Sequence, residues 1–154
     1  MKKSKAFLNL QDLFEFCIKV ILPLLFGALI YIFYRPKNLL MFDWLNFLGF
    51  KDSLNSLRPT AQQQFSRIPE WVIYSLPDGL WVLSYTFLMS LIWASEQRII
   101  KPFFIFFGLI FSLSLELGQY FKIIPGNFDF NDLIFINLGF LIPYLYEKHR
   151  AEKN

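Results

Sequence analysis

The sequence predicts an all-α fold: a polytopic membrane protein with about four transmembrane helices in an antiparallel bundle. Two observations lead to this prediction. The chain is 55% hydrophobic and 20% aromatic, and its apolar residues fall in long blocks with few interruptions. A soluble domain of 154 residues would expose many of its 20 phenylalanines to water, whereas a bilayer accepts such side chains as an outer surface. We therefore interpret residues 1–154 as a single membrane domain.

Four segments are apolar enough to cross the hydrocarbon layer, which takes roughly 20 helical residues. The fourth is the shortest, because its apolar body from Leu133 to Tyr146 covers only about 21 Å. Lys19 and Pro23 interrupt the first segment near one end, where a lysine can snorkel to the headgroups and a proline causes only a local kink. The predicted spans are residues 16–34, 76–94, 103–121 and 132–146.

The connection between the first two spans contains a short amphipathic segment. Within residues 39–50, a polar or small residue recurs at every third position, at Asp43, Asn46 and Gly49. The segment is too short to cross a bilayer, so it predicts a helix lying in the interface, with a helix packed over the bundle as the alternative. The polar stretch 51–67 that follows is expected to be exposed.

Positive charge and scarce residue types limit the possible functions. The chain has a net charge of +3, but its lysines and arginines are scattered between apolar blocks, which favours positive-inside topology over nucleic-acid binding. Cys17 is the single cysteine, so an intrachain disulfide is excluded, and its apolar neighbours predict a buried, inert thiol. His149 is the single histidine and lies in the charged tail, which excludes a histidine-ligated metal or a Ser-His-Asp triad within the membrane.

The distribution of positive residues predicts an orientation. Eight lysines and arginines fall on the side of the bundle that holds both termini and six on the other, which predicts cytoplasmic termini. No small-residue cleavage site follows the basic N-terminus, so we expect an anchor and not a removable signal peptide. The eight are Lys2, Lys3, Lys5, Arg98, Lys101, Lys148, Arg150 and Lys153, and the six are Arg35, Lys37, Lys51, Arg58, Arg67 and Lys122.

Polar residues within or beside the apolar segments gather at one end of the predicted bundle. Antiparallel spans bring the end of the first, the start of the second, the end of the third and the start of the fourth to one membrane face. Glu116 is the most informative, because a carboxylate within an apolar run should face the bundle interior and find a partner. It serves either a structural interhelical contact or a binding site. The candidate binding residues are Arg35, Asp78, Glu116, Gln119, Asp129, Asp132 and Asn137.

Several of these residues also have a structural interpretation. Ser75 and Asp78 fit an S-x-x-D capping arrangement, and Asp129 and Asp132 suit the positive end of a helix dipole. Asn137 points about 140° away from Asp132 around the helix, so we expect it to bond a different neighbouring helix. Arg35 either pairs with a carboxylate or anchors the first span at the headgroups, and the four tryptophans are expected to lie in the interfacial belts.

The third span also carries a stripe of small and polar residues. These residues are spaced at i, i+4, i+8 and i+11, which places them on one helix face and permits close packing against another helix. The stripe consists of Gly108, Ser112, Glu116 and Gln119.

The segment ELGQYFKIIPGNFDFNDLIFINLG, from Glu116 to Gly139, resembles the VanZ-like family of small bacterial membrane proteins. That family has a Glu and a Gln near the end of one transmembrane helix, followed by Gly-Arg, Asp-x-x-Asp and Asn-x-Gly at the start of the next. The corresponding residues here are Glu116, Gln119, Gly126 with Asn127, Asp129 with Asp132, and Asn137 with Gly139.

Upstream, LPDGLWVLSYTFL is similar to the Asp-Lys-x-x-His helix start of the same family, with Asp78 matching its Asp. Gly79 and Val82 stand where the family has Lys and His, and Asn127 replaces its Arg. The resemblance implies a multi-pass protein of the bacterial cytoplasmic membrane, in the envelope context of a family whose namesake is associated with low-level teicoplanin resistance.

The leading functional hypothesis is an envelope protein whose carboxylate and amide cluster binds a lipid headgroup, a cation or another membrane protein. One alternative is an enzyme acting on lipid-linked substrates, with Glu116 or Asp78 as general base and bound Mg²⁺ or Mn²⁺. The other is a structural subunit of a membrane complex. The sequence identifies no cofactor and assigns no metal ligand, and the lipid bilayer is the one partner that its composition requires.

Overall fold

The computed structural model describes residues 10–37, 39–64, 67–94 and 100–153, apart from the side chain of Ala151. These residues are 83% helical and include no strand, which confirms the all-α prediction. Four of the positive residues used to predict orientation, Lys2, Lys3, Lys5 and Arg98, lie outside the described residues.

The helices follow one another with short connections. α1 and α2 are joined by a π-helical segment into one continuous rod, Leu10–Tyr34. The elements in chain order are α1 Leu10–Phe16, the π-helical segment Cys17–Ile21, α2 Leu22–Tyr34, α3 Leu40–Phe47, α4 Lys51–Gln64, α5 Glu70–Tyr74, α6 Leu76–Ile92, α7 Ile100–Tyr120 and α8 Phe130–Glu152.

Each predicted span coincides with a helix, although the ends differ. The 25-residue rod and the 21-residue α7 are long and apolar enough to cross a membrane, whereas α6 is apolar but has 17 residues. α8 continues to Glu152, beyond the predicted end at residue 146, because the charged tail also consists of good helix formers.

The π-helical segment is explained by Pro23. A proline has no N–H to donate, and its ring clashes with the carbonyl four residues before it, which disturbs the α-helical ladder there. The N–H of Leu22 accordingly donates to Cys17 O, five residues earlier, as in a π-turn. Cys17 is exposed on the rod surface, so the prediction of a buried thiol was wrong.

Lys19 does not extend freely toward headgroups but makes side-chain contacts with two helices. Its Nζ lies 2.7 Å from Glu15 Oε2 and donates to Tyr146 Oη at 3.1 Å. Glu15 Oε2 also accepts from Arg150 Nη1 at 2.9 Å. These contacts join the start of the rod to the end of α8, so the first and last described helical turns lie at the same end of the helix assembly.

The polar segment after α3 forms α4, and this helix caps α2. Arg58 is 4% exposed and donates to Ile32 O and, at 2.7 Å, to Arg35 O, while Gln62 Nε2 donates to Phe33 O at 2.9 Å. The last carbonyls of a helix have no intrahelical donor, so these side chains satisfy them. The sequence predicted that this whole segment is exposed. The structure instead buries part of it against α2.

α3 occupies most of the segment predicted to be an interfacial helix. Phe42 is buried and its ring lies 4.8 Å from the Arg58 guanidinium, which fixes α3 against α4. The outer side of α3 is apolar and exposed, with Trp44 at 62% and Phe47 at 91%. The helix thus packs on the protein through one side and presents hydrophobic side chains on the other.

α6 is the helix on which the others pack, since it contacts α2, α7 and α8. Its closest approach is to α8, where a Cβ added to Gly79 would lie 2.6 Å from Phe135 O and one added to Gly139 would overlap Gly79 O. Glycines allow two helix backbones to approach this closely. Val82, Ile136 and Phe140 continue the contact as a buried apolar core.

Substituting Gly139→Ala should destabilise the protein, because the added methyl group has no space beside the Gly79 carbonyl. Overpacking of this kind costs about 1–3 kcal/mol. Thermal unfolding of the detergent-solubilised protein, followed by circular dichroism, measures the change. Leu138→Ala is the matched control, since Leu138 is 45% exposed and should have a smaller effect. An unchanged midpoint for Gly139→Ala would contradict the proposed helix crossing.

Candidate functional site

The turn after α7 determines where the candidate site residues lie. Lys122 has a φ of 56°, and the N–H groups of Ile123 and Lys122 donate to Gly118 O and Gln119 O at 2.8 and 3.0 Å. This is the hydrogen-bond pattern of a Schellman motif, with lysine at the position that glycine usually takes. The chain then reverses through Gly126, whose φ is 140° and which packs directly on the Gln119 side chain. α8 consequently starts beside the end of α7.

Three carboxyl side chains lie near one another at this end of the helices, and we refer to Asp78, Glu116 and Asp132 as the acidic rim. Glu116 is 5% exposed and Asp132 is 8% exposed. Glu116 lies within electrostatic range of both Asp78 and Asp132. The prediction that α6, α7 and α8 bring these residues to a common end of the bundle is therefore consistent with the described geometry.

The acidic rim contains acceptors without donors. Glu116 faces the backbone amide of Asp129, but its Oε2 is buried and has no hydrogen-bond partner. Asp132 Oδ1 is likewise buried without a partner, although it lies near the fully buried Ser75 hydroxyl, whose geometry does not meet that of a hydrogen bond. Buried polar atoms are nearly always hydrogen-bonded in folded proteins, so unpartnered oxygens in a cluster are unusual and indicate that donors are missing.

Arg35 supplies positive charge beside the acidic rim. Its charge acts on both Asp78 and Asp132, while its Nη2 donates to Tyr74 O at 2.9 Å. The guanidinium also lies 4.9 Å from the ring centroids of Tyr31 and Tyr74. Arg35 is thus held by a backbone carbonyl and two aromatic rings, and its interaction with the two carboxylates is electrostatic.

Two of the remaining candidates, Asp129 and Asn137, have different structural roles. Asp129 caps α8, because its Oδ1 accepts from the N–H of Asn131 at 2.9 Å. Asn137 is exposed and donates to Leu133 O of its own helix at 2.7 Å, so the expectation that it bonds a neighbouring helix was wrong. The side-chain amide of an asparagine in a helix can donate a hydrogen bond to a backbone carbonyl one turn earlier in the same helix.

The predicted capping arrangement of Ser75 and Asp78 is not formed. Ser75 has φ −100° and ψ −38°, and its side chain makes no capping hydrogen bond. An N-cap serine needs an extended backbone, whereas α5 leads almost directly into α6 and keeps Ser75 helical. Asp78 is therefore free of the capping contact that the sequence pattern favoured.

A cavity of about 590 Å³ adjoins the acidic rim, and we call it the lateral groove. Its walls are Leu24 of α2, Trp81 and Tyr85 of α6, Ile136 of α8 and one face of α7 from Phe107 to Gln119. Asp78, Glu116 and Gln119 line its polar end. The volume lies within the range of about 300–1,000 Å³ typical of small-molecule sites.

The stripe predicted on α7 faces this groove. All four of its residues line the cavity, and Gly108 is also in close contact with the Tyr85 ring. Trp81 and Tyr85 were not predicted to be site residues, since the sequence placed Trp81 in an interfacial belt and gave no signal for Tyr85. Their positions depend on how α6 is rotated against α7, which one helix pattern does not reveal.

Within the described residues, no group of three or more His, Cys, Asp or Glu side chains is arranged to hold a metal ion. Comparisons with protein-family models, curated proteins and solved structures find no match to this chain. The physical arrangement of the acidic rim and lateral groove is therefore the basis for the functional conclusion.

The structural roles of Asp129 and Asn137 can be tested by comparing one variant of each. Asp129→Ala should lower the free energy of unfolding by about 1 kcal/mol, because the first amides of α8 lose their cap. Asn137→Ala should change it by no more than about 0.5 kcal/mol, as expected of an exposed side chain. Thermal unfolding of both variants in one detergent gives the comparison. A larger loss of unfolding free energy for Asn137→Ala than for Asp129→Ala would show that the two roles are assigned wrongly.

Proposed function

We propose that this chain is a multi-pass protein of the bacterial cytoplasmic membrane whose acidic rim binds the polar head of a membrane ligand through hydrogen-bond donors. The rod, α6, α7 and α8 are its four crossing helices in this proposal. The observation that carries it is Glu116, which lines a cavity and whose buried Oε2 has no hydrogen-bond partner among the described residues. A purely structural glutamate would be expected to have found its partner on a neighbouring helix.

The exposed apolar surface supports a membrane location. Only 17% of the most hydrophobic window of the rod and 11% of that of α7 is buried within the protein. The core helix of a soluble domain would be mostly buried, whereas a helix facing lipid leaves its apolar side chains outward. The exposed side of α3, with Trp44 and Phe47, suits an interfacial helix on the same side as the acidic rim.

Orientation and family form part of the same proposal. With cytoplasmic termini, the acidic rim faces the outer leaflet, because it lies at the end of the rod opposite the N-terminus. We also propose that the chain is a divergent member of the VanZ-like family. Glu116, Gln119, Gly126 and Asp132, which carry that resemblance, lie around one end of α7. A link to glycopeptide resistance or envelope maintenance rests on this resemblance alone.

Cysteine labelling tests the orientation. In a Cys17→Ser background, Ser53→Cys at an exposed position of α4 should react with a membrane-impermeant maleimide in intact spheroplasts. Lys153→Cys should react only after permeabilisation, since the C-terminus is proposed to be cytoplasmic. The protein without cysteine is the control for background labelling. The reverse pattern would overturn the orientation, and labelling of both sites from one side would overturn the three crossings proposed between them.

Glu116→Gln should reduce headgroup binding, because it removes the charge that strengthens hydrogen bonds from a donor. Lipid that remains bound to the mildly solubilised protein can be quantified by native mass spectrometry. A loss of about tenfold or more in occupancy is expected from one charge-assisted hydrogen bond. Glu70→Gln, at an exposed position on α5, is the matched control and should retain the lipid. Equal occupancy in the two variants would remove the proposal.

A further inference from the structure

We propose that the ligand is a bilayer lipid with a primary-amine head, held with its ammonium at the acidic rim and one acyl chain in the lateral groove. This inference rests on the proposed function and names the class of ligand. It follows from two independent features of the structure, the apolar shape of the groove and the missing donors at its polar end.

The groove has the dimensions and polarity of a site for a hydrocarbon chain. Along α7 it extends from Phe107 to Gln119, which corresponds to about 18 Å at the helical rise. Apart from the polar end, its walls are mainly aromatic and aliphatic, with Leu24 on one side and Phe111 on the other. Gly108 and Ser112 leave space for the groove beside α7, because neither has a large side chain. A narrow, long, apolar space of this kind fits an acyl chain and not a compact polar solute.

The groove is open sideways, toward the region that a bilayer would occupy. α2 and α7 both pack on α6 and make little contact with each other, so a gap remains between them. Leu24, Phe107 and Phe111, which border that gap, are 41%, 48% and 53% exposed. A lipid could therefore move its chain into the groove from the membrane without passing through the protein.

The polar end requires a head that donates hydrogen bonds. Glu116 lines this end of the groove and its Oε2 lacks a donor, as does Oδ1 of Asp132, which lies beside the groove without lining it. An ionised carboxylate has no donor to offer a neighbouring one. A primary ammonium has three N–H donors, whereas a trimethylammonium head has none. Trp81, which stacks on Tyr31, lines the same cavity as Glu116, and an aromatic ring near a carboxylate suits a cationic head.

The charge balance also favours a cationic group. Three carboxylates form the acidic rim, and Arg35 is the positive side chain whose field reaches Asp78 and Asp132. When these carboxyl groups are ionised, an anionic head without an amine meets an excess of negative charge. An aminophospholipid instead offers an ammonium for the carboxylates and a phosphate for Arg35, whose Nε is buried and has no partner.

Head selectivity can be measured with three phospholipids that share the same acyl chains and carry ethanolamine, choline or glycerol heads. Each is titrated into the delipidated protein in detergent, and binding is followed by native mass spectrometry. The ethanolamine lipid should bind about tenfold tighter than the other two, and Glu116→Gln should abolish that preference. Equal binding of all three heads to the unaltered protein would overturn the proposed amine specificity while leaving headgroup binding intact.

The position of the acyl chain is tested by filling the groove. Ser112→Leu places an apolar side chain inside it, and Ser114→Leu makes the same change on the exposed, opposite side of α7. Ser112→Leu should weaken binding of the ethanolamine lipid about tenfold or more, and Ser114→Leu should not. Ser112→Ala removes the hydroxyl without filling the space and should bind normally, which separates filling from loss of a polar group.

The outcomes distinguish this inference from the proposed function. If Glu116→Gln lowers lipid binding but both leucine variants behave alike, the acyl chain does not occupy the groove and only the headgroup site stands. If Glu116→Gln has no effect on any lipid, the proposed function itself fails. Matching thermal midpoints for Ser112→Leu and Ser114→Leu show that the difference in binding is not due to unfolding.

Discussion

The close approach of Gly79 and Gly139 is the constraint on which the rest of the structure depends. A side chain at either position would collide with the backbone of the opposite helix, so α6 and α8 can cross at this distance only with glycine. The crossing lies one residue after Asp78 and seven residues after Asp132. It therefore fixes the two carboxylates of α6 and α8 near the end of α7, where Glu116 completes the acidic rim.

The two ends of the helix assembly solve the problem of buried charge differently. At one end, Glu15 accepts from both Lys19 and Arg150, although Oε1 of nearby Glu147 is buried without a hydrogen-bond partner among the described residues. At the other, Glu116 and Asp132 retain oxygens without donors. An unsatisfied buried polar group costs about 1–3 kcal/mol. In the proposed function, a ligand that donates hydrogen bonds at the acidic rim removes this cost.

The sequence predicted the features that depend on one helix at a time. Long apolar blocks located the four main helices, and the i, i+4 spacing from Gly108 to Glu116 identified the α7 face that lines the groove. Features that depend on several helices were missed. Arg58 appeared to be an exposed loop residue, because only the tertiary fold places it against the carbonyls of Ile32 and Arg35. Asn137 donates to a carbonyl of its own helix, and residue spacing alone does not show whether such a side chain bonds its own helix or a neighbouring one.

The most direct test of the account is an experimental structure of the protein in lipid. It should show Glu116 turned toward Asp78 and Asp132, with elongated density that starts at these carboxylates and continues between α2 and α7. A Glu116 side chain that faces the acyl chains outside the protein, or that is satisfied entirely by neighbouring side chains with the groove collapsed, would contradict it.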